Sequence, residues 1–525
     1  MSDVIVPTQE QENIIELAGS HSELLIEAAA GAAKSSTLVM IANNVPENSI
    51  MLTFNKALAV EAEEKFPSWV DCKTTHSLAY GVFGAPLQHK LKRPRGAYRN
   101  VAGTGSEVAK YFKIQDIKYS IGFNAKKTLK AGGIGVAIKE TVASYEQSAD
   151  EVLGAKHLSL SVCDRDMLAD ISAMSQYRRE VLRAAQQLWA LRINPRVDVL
   201  ATHDTYLKLY QLSKPDLSHY PVIYLDECQD TNDVVLDIFL RQQGKCKLIA
   251  VGDAYQNIYS WRGTTNAMLT LPWKKAQLTK SFRWGQNVGD IANCLLSMGN
   301  SKPTNIKGWE KLETRTIAHE DVEDGDLEGV YTVLFRTNSA LIYEAVSLLE
   351  KGYKVNLEID VSDFVKMLDS AIELFKGNTS KVKHEKLIQY ASWSEFSIEA
   401  QAVQGELLRV MQMVESGSVY NILGILSKHT NHDYPDVIMT TAHKSKGREW
   451  TTVVLGEDFA SPYNSKGEWV GLNDMERNLL YVALTRAKKL LVYNTPVQDY
   501  LDRAKYTKVS AKTPEKVFVD NSIDT

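Results

Sequence analysis

Apolar positions along this chain fall into short runs, and several of those runs stop at small or acidic residues. Residues 23–29 (ELLIEAA) form one such run and predict a buried strand, followed after a small-residue turn by a helix from Lys34 to Asn43. Ile50–Phe54 predicts a second strand and Lys56–Lys65 a second helix, which Pro67 closes. Val222–Asp226 (VIYLD) and Leu248–Asp253 (LIAVGD) predict two more strands, both ending in acids. Short continuous apolar runs separated by helix-length segments are the pattern of an α/β fold. Its parallel sheet is covered on both faces and takes ligands at the strands' carboxyl ends.

The pattern recurs at Tyr331–Phe335, Val437–Thr440, Thr452–Leu455 and Leu490–Tyr493. Two stretches interrupt it. From Leu87 to Asn194 the chain is first basic and then helical, and YRREVLRAAQQLWALRI sets Val181, Leu182, Ala185, Leu188 and Leu191 on one face. From Ala340 to His432 a second interruption is mainly helical. The expected organisation is therefore a first α/β lobe from 1–86 and 195–275, interrupted by a basic, helical insert at 87–194. A second lobe from 276–339 and 433–510 is interrupted by a small helical insert at 340–432, and 511–525 form a polar tail.

With 525 residues, 44% apolar and 24% charged, the chain has the make-up of a multidomain globular protein; a single small binding module and a mostly disordered chain are excluded. The net charge of −4 conceals a local excess. Between Lys90 and Lys139 there are twelve Lys/Arg against Glu107 and Asp116, a surface suited to phosphate backbones or merely a solvated basic face. Gly103–Gly105 and Gly132–Gly135 have no following lysine and predict loops, not further nucleotide sites. The five cysteines contain no C-x-x-C pair, which argues against a disulfide framework or zinc ribbon and fits a reducing compartment. No apolar run reaches the length of a membrane span, and the opening MSDVIVPTQEQE does not read as a secretory signal. An intracellular location, in the cytoplasm and nucleoid or the nucleus, is expected.

AAAGAAKSS (Ala28–Ser36) lies between the first strand and its helix and nearly fits the phosphate-binding loop G-x-x-x-x-G-K-[ST]. Small residues let backbone N–H groups wrap phosphates; Gly31, Ala32 and Ala33 would line that path. Lys34 would reach the β/γ-phosphates, and Ser35, with Ser36 beside it, would offer a hydroxyl to Mg²⁺. Ala28 and Ala33 stand where glycines are usual, and if residue 33 needs a positive φ the alanine costs about 1 kcal/mol. An ordinary alanine-rich helix start is the competing reading. Asp226 and Glu227, just past a strand, weigh against it: one carboxylate can hold Mg²⁺ and the other can orient the attacking water.

With these, the chain resembles the UvrD/Rep-type superfamily 1 helicases in motif order. The segments are P-T-Q-E-Q with Gln11, Asp226–Asp230 (DECQD), GDAYQNIYSWRG (Gly252–Gly263), SFR (Ser281–Arg283), LFRTN (Leu334–Asn338), TAHKSKGREW (Thr441–Trp450) and LLYVALTRAKK (Leu479–Lys489). FNKALA and CKTTHSLAYG (Cys72–Gly81) give it the look of the F-box DNA helicase branch. No F-box-like stretch precedes the glutamine motif, so no ubiquitin-ligase role is expected.

The resemblance implies two RecA-like lobes with an ATP cleft between them. It assigns adenine recognition to Gln11 and Phe282, γ-phosphate sensing to Gln256, and phosphate-facing positive charge to Arg283 and Arg486. Gly447 and Glu449 fall near the ribose and phosphates. It makes Trp261 with Arg262 a base-stacking platform, and Asn55, Lys56, His76, Arg336, Thr441 and His443 strand-contacting positions. Implied cofactors are ATP and Mg²⁺, with Ser35 and Asp226 as metal ligands. Implied partners are single-stranded DNA, junctions or forks, with replication or recombination proteins beyond them. The expected activity is translocation along single-stranded DNA, 3′→5′ by resemblance, with duplex unwinding. A protein-displacing translocase with little unwinding, or a DNA-binding scaffold with an impaired ATP site, are the alternatives.

Overall fold

The computed structural model describes residues 6–53, 55–91, 102–121, 125–259, 266–299, 305–323, 325–403 and 405–512. The chain divides into two compact units, the first from Met1–Leu278, Thr337–Gly352 and Ile359–Asn431, the second from Thr279–Arg336, Tyr353–Glu358 and His432–Thr525.

In the first unit the strands are β1 (Glu23–Ala28), β2 (Ser49–Thr53), β3 (Val70–Thr74), β4 (Ile117–Ile121), β5 (Ala125–Leu129), β6 (Val222–Leu225), β7 (Lys247–Gly252) and β8 (Lys274–Leu278). Six of them form one parallel sheet in the order β3-β2-β6-β7-β1-β8. Every residue of β2 and β6 is buried, as a sheet covered on both faces requires. Leu25, Leu52, Ile223, Leu225, Leu248 and Ala250 share one core, and each such leucine or isoleucine contributes roughly 1.5–3 kcal/mol by leaving water. The order carries the function: β6, β7 and β1 are neighbours, so the segments leaving their carboxyl ends lie side by side.

The first insert has its own core, with Val108, Ile134, Ile138, Tyr177, Val181 and Leu188 buried in it. The expected amphipathic helix is Ile171–Ile193; Leu182 and Leu191 pack against this core from partly buried positions. The insert is not helical throughout, since β4 and β5 form an antiparallel hairpin. Of the two glycine clusters expected as loops, Gly103 does lie in one, but the rest is helical. Gly105 opens one helix and Gly132–Gly135 lie in the first turns of another, Ala131–Glu146. A Cβ on Gly135 would sit 1.9 Å from the Gly105 carbonyl oxygen, so close helix packing is what demands glycine there.

Four of the eight described lysines of the basic stretch are already engaged inside the unit. Lys90 is buried and donates to the carbonyls of Leu191, Arg192 and Asn194, each at 2.7 Å, capping the long helix; burial pulls its pKa down to about 8. Lys127 pairs with Asp164, Lys130 with Asp116 and Lys139 with Glu385. Lys110, Lys113, Lys118 and Lys126 are exposed, while Lys92, Arg93, Arg95 and Arg99 lie outside the described residues.

The second unit holds β9 (Arg315–Ala318), β10 (Tyr331–Phe335), β11 (Val355–Leu357), β12 (Val437–Thr441), β13 (Trp450–Leu455) and β14 (Ala487–Tyr493). They form a second parallel sheet, β11-β12-β10-β13-β14-β9. The two-sheet α/β, RecA-like organisation is thus present, with shifted boundaries. β8 extends the first sheet to Leu278, past the expected limit at 275. β11 lies inside the expected insert 340–432 yet pairs with β12, and residues 359–431 group with the first unit. A three-residue strand is too short to announce itself by periodicity. The expected tail lies almost wholly outside the described residues. Among the described residues no helix is long and apolar enough to cross a membrane.

Candidate active site

The loop after β1 passes through Gly31 at φ +74° and Ala33 at φ +57°, both left-handed, before the helix Lys34–Asn44 begins. Residue 33 does need a positive φ, and it is an alanine that supplies it, at a cost of about 1 kcal/mol. The Ala33 carbonyl then accepts from the Thr37 N–H and hydroxyl, both at 3.0 Å, starting the helix. Ala32 is buried and Ser35 and Ser36 are half-buried in the first turn. Gln11, also buried, donates from Nε2 to Thr37 Oγ1 at 3.0 Å, and with Thr8 it forms a capping box on its own helix. That ties the glutamine segment to the helix of the phosphate loop.

At the end of β6, Asp226 is fixed by its N–H donating to the Leu52 carbonyl, and Glu227 turns left-handed at φ +50°. The turn brings Glu227 Oε1 to 2.7 Å from Lys34 Nζ, both side chains less than a fifth exposed. Burial works against the Lys34 ammonium, but the carboxylates of Glu227, Asp226 and Asp253 outweigh it and hold its pKa above the usual lysine value. Lys34 is therefore charged at any physiological pH. Gln256, buried, donates from Nε2 to Asp253 Oδ2 at 2.7 Å, while Asp253 Oδ1 accepts from the Tyr255 N–H at 3.0 Å. Three adjacent strand ends thus bring together Lys34, Asp226, Glu227, Asp253 and Gln256.

Asp253 of this group, and Gln229 beside it, are given no role by the sequence alone. Asp253 adds to the negative potential around Lys34, and Gln229 is fully buried with both ends of its amide engaged. Both sit inside motifs already noted, but only the adjacency of β6, β7 and β1 reveals what they touch.

In the second unit, Arg283 donates from Nε to Glu449 Oε2 at 2.7 Å and from Nη1 to the Thr485 carbonyl at 3.3 Å. Glu449 also accepts from Lys488 at 2.9 Å. Burial raises the Glu449 pKa, yet Lys488 and Arg283 outweigh it and bring the value below the ordinary range. Arg486 is 1% exposed; it donates to the Val482 carbonyl at 2.7 Å, the Arg448 carbonyl at 3.2 Å and Thr485 Oγ1 at 3.0 Å. Phe282 packs edge-on against Trp309 with centroids 5.7 Å apart, and Gly447 takes φ +81° on the exposed turn before Glu449.

The proposed strand-contacting residues have firm local positions of their own. Asn55 caps the helix Lys56–Lys65 by accepting from the Leu58 N–H at 2.9 Å, and Lys56 beside it is exposed. His76 Nε2 lies 3.2 Å from Asp204 Oδ1 and its ring is edge-on to Tyr206. Arg336 forms a bidentate pair with Glu476, at 2.7 and 2.5 Å. Thr441 caps the short helix Ala442–Ser445, on which His443 is half-buried. Trp261 and Arg262 lie outside the described residues, as does Phe54.

Comparison with known proteins points to one family. The UvrD/REP helicase N-terminal domain matches residues 7–276, and the UvrD-like helicase C-terminal domain matches residues 436–493. F-box DNA helicase protein 1 of Schizosaccharomyces pombe is 30% identical over 93% of this chain and 57% of its own length. F-box DNA helicase 1 of Gallus gallus is 29% identical over 94% of this chain and 49% of its length. The ATP-dependent DNA helicase PcrA of Leuconostoc citreum is 28% identical over 60% of this chain and 45% of its length. The chain spans about half the length of these relatives.

Proposed function

The chain belongs to the UvrD/REP helicase family, and from that premise we propose that it is an ATP-driven motor that moves along single-stranded DNA and separates duplexes. The observation that carries the reading is the Lys34–Glu227 pair at the ends of β1 and β6, with Asp226 and Asp253 around it. A buried ammonium neutralised by a carboxylate is a preformed polyphosphate site: phosphate replaces the carboxylate at Lys34, and the released carboxylate is left to orient water. Ser35 and Asp226 are hard oxygen donors that fit Mg²⁺, which favours one or two protein oxygens together with substrate phosphates. When bound, the ion neutralises phosphate charge.

In this reading Gln11 and Phe282 take the adenine, and Gln256 senses the γ-phosphate. Gly31, Ala32, Ala33 and Ser36 line the phosphate path. Arg283 and Arg486 supply positive charge to the transition state, and Gly447 and Glu449 shape the turn that holds Arg283. Trp261 and Arg262 carry base stacking, a contact of roughly 1–3 kcal/mol per base that tolerates any sequence. Asn55, Lys56, His76, Arg336, Thr441 and His443 follow the strand. The relatives named DNA helicases support DNA as the track, and 3′→5′ movement is part of the proposal, as are forks and junctions as preferred substrates and replication or recombination proteins as partners.

One observation favours a second reading. Ala33 stores backbone strain in the phosphate loop, which would suit a DNA-binding scaffold with a weakened ATP site. Strand displacement on duplexes with a 3′ or a 5′ single-stranded tail, run beside displacement of a bound protein, tests the proposal. ATP-dependent unwinding of the 3′-tailed duplex is expected. Protein displacement without unwinding would make it a stripping translocase, and neither activity would leave the scaffold.

A further inference from the structure

Gln229 follows Glu227 in the short turn Cys228–Asp230 and is completely buried. Its Nε2 donates to Glu227 Oε2 at 2.5 Å, and its Oε1 accepts from the Asp253 N–H at 3.1 Å. Its main-chain carbonyl accepts from Asn257 Nδ2. These partners fix which way the amide points, because only its NH₂ can serve a carboxylate and only its oxygen can serve an N–H. The neighbouring strand end is shaped around it: a Cβ on Gly252 would fall 2.3 Å from Gln229 Oε1.

Glu227 therefore has its two oxygens on different partners, Oε1 on Lys34 and Oε2 on Gln229. The two partners differ in what ATP does to them. Lys34 is drawn to incoming phosphate and leaves the carboxylate, whereas Gln229 is anchored to β7 and stays. We propose that Gln229 is the positioning residue for hydrolysis: it keeps the Glu227 carboxylate aimed at the attacking water once Lys34 has moved to phosphate. It also ties that carboxylate to the Asp253–Gln256 turn. The inference rests on the reading of Glu227 as the water-orienting acid. Positioning is worth a great deal here, since a displacement of about 1 Å can cost on the order of a hundredfold in rate.

The test is steady-state ATP hydrolysis with single-stranded DNA present, together with equilibrium ATP binding. Gln229→Met keeps the side chain's length without its hydrogen bonds. It is expected to lower kcat roughly 10- to 100-fold while ATP affinity stays within about threefold. Gln229→Glu keeps the shape and the acceptor without the donated proton and is expected to lose a similar amount, which covers the case in which the methionine variant does not fold. On a Glu227→Gln background Gln229→Met is expected to add no further loss, because the two act on one step; a packing role would give additive losses. Normal kcat in Gln229→Glu, or full additivity with Glu227→Gln, overturns the proposal. A parent chain that hydrolyses no ATP overturns the motor reading as well, which sets that failure apart.

Discussion

In the first unit Lys34 rests on the carboxylate of Glu227; in the second, Arg486 rests on the carbonyls of Val482 and Arg448 and on the Thr485 hydroxyl. Both cations are largely withdrawn from water, but the partners differ in kind. A carboxylate cancels the charge and can be displaced by a phosphate that offers more negative charge. Carbonyl dipoles and a hydroxyl fix the guanidinium in place from several sides. Arg283 lies between these cases, with one contact to Glu449 and one to a carbonyl. The contrast teaches that the cation of the first unit is held for exchange and that of the second for placement.

The sharpest break in that comparison is Lys34→Ala. It removes the exchangeable cation and leaves Glu227, Asp226 and Asp253 facing one another, so ATP hydrolysis is expected to fall below detection. The melting temperature, measured beside it, should fall as well, because the poorly exposed Glu227 loses its counter-charge. Next in size, Arg486→Met should reduce turnover by about 10³-fold or more if the guanidinium meets transition-state charge. It should also lower the melting temperature, because three hydrogen bonds of a buried guanidinium are lost. A stability loss with turnover intact at low temperature would assign Arg486 to structure alone. Glu227→Gln should cost about 10²–10⁴ in turnover with ATP affinity within a few-fold, as expected of a group that acts on water and not on binding. The smallest effect sharpens the comparison at the backbone. Ala33→Gly relieves a left-handed alanine and should raise stability by up to about 1 kcal/mol, with ATP affinity and turnover equal or better.

What the sequence shows and what it hides divide along the sheets. The central strands β1, β2, β6, β7, β10, β12, β13 and β14 read plainly because burial on both faces makes them continuously apolar. The strands missed in the two parallel sheets are their edges: β3, β8, β9 and β11. β3 (VDCKT) and β8 (KKAQL) are half exposed and carry lysines, as edge strands do to discourage further pairing. The hairpin β4–β5 is hidden for the same reason, with Lys118 and Lys126 on its open face. At the site, Lys34, Asp226 and Glu227 are legible because strand-end chemistry is local in sequence. Gln229 and Asp253 are not, since their meaning depends on β7 lying between β6 and β1. The basic stretch shows the opposite error: Lys90 and Lys127 read as surface charge, yet one caps a helix from a buried position and the other pairs with Asp164.

A phosphate loop with alanine in its left-handed position is expected still to drive a DNA-stimulated ATPase. ATP hydrolysis by the parent chain and by Ala33→Gly, each with and without single-stranded DNA, tests it most directly. Hydrolysis is expected in both, strongly stimulated by DNA, with the glycine variant no more than about fivefold faster, the equivalent of about 1 kcal/mol. Two inert proteins in the presence of single-stranded DNA would contradict the motor and leave a DNA-binding scaffold; an inert parent beside an active glycine variant would make Ala33 a disabling residue on an otherwise competent motor.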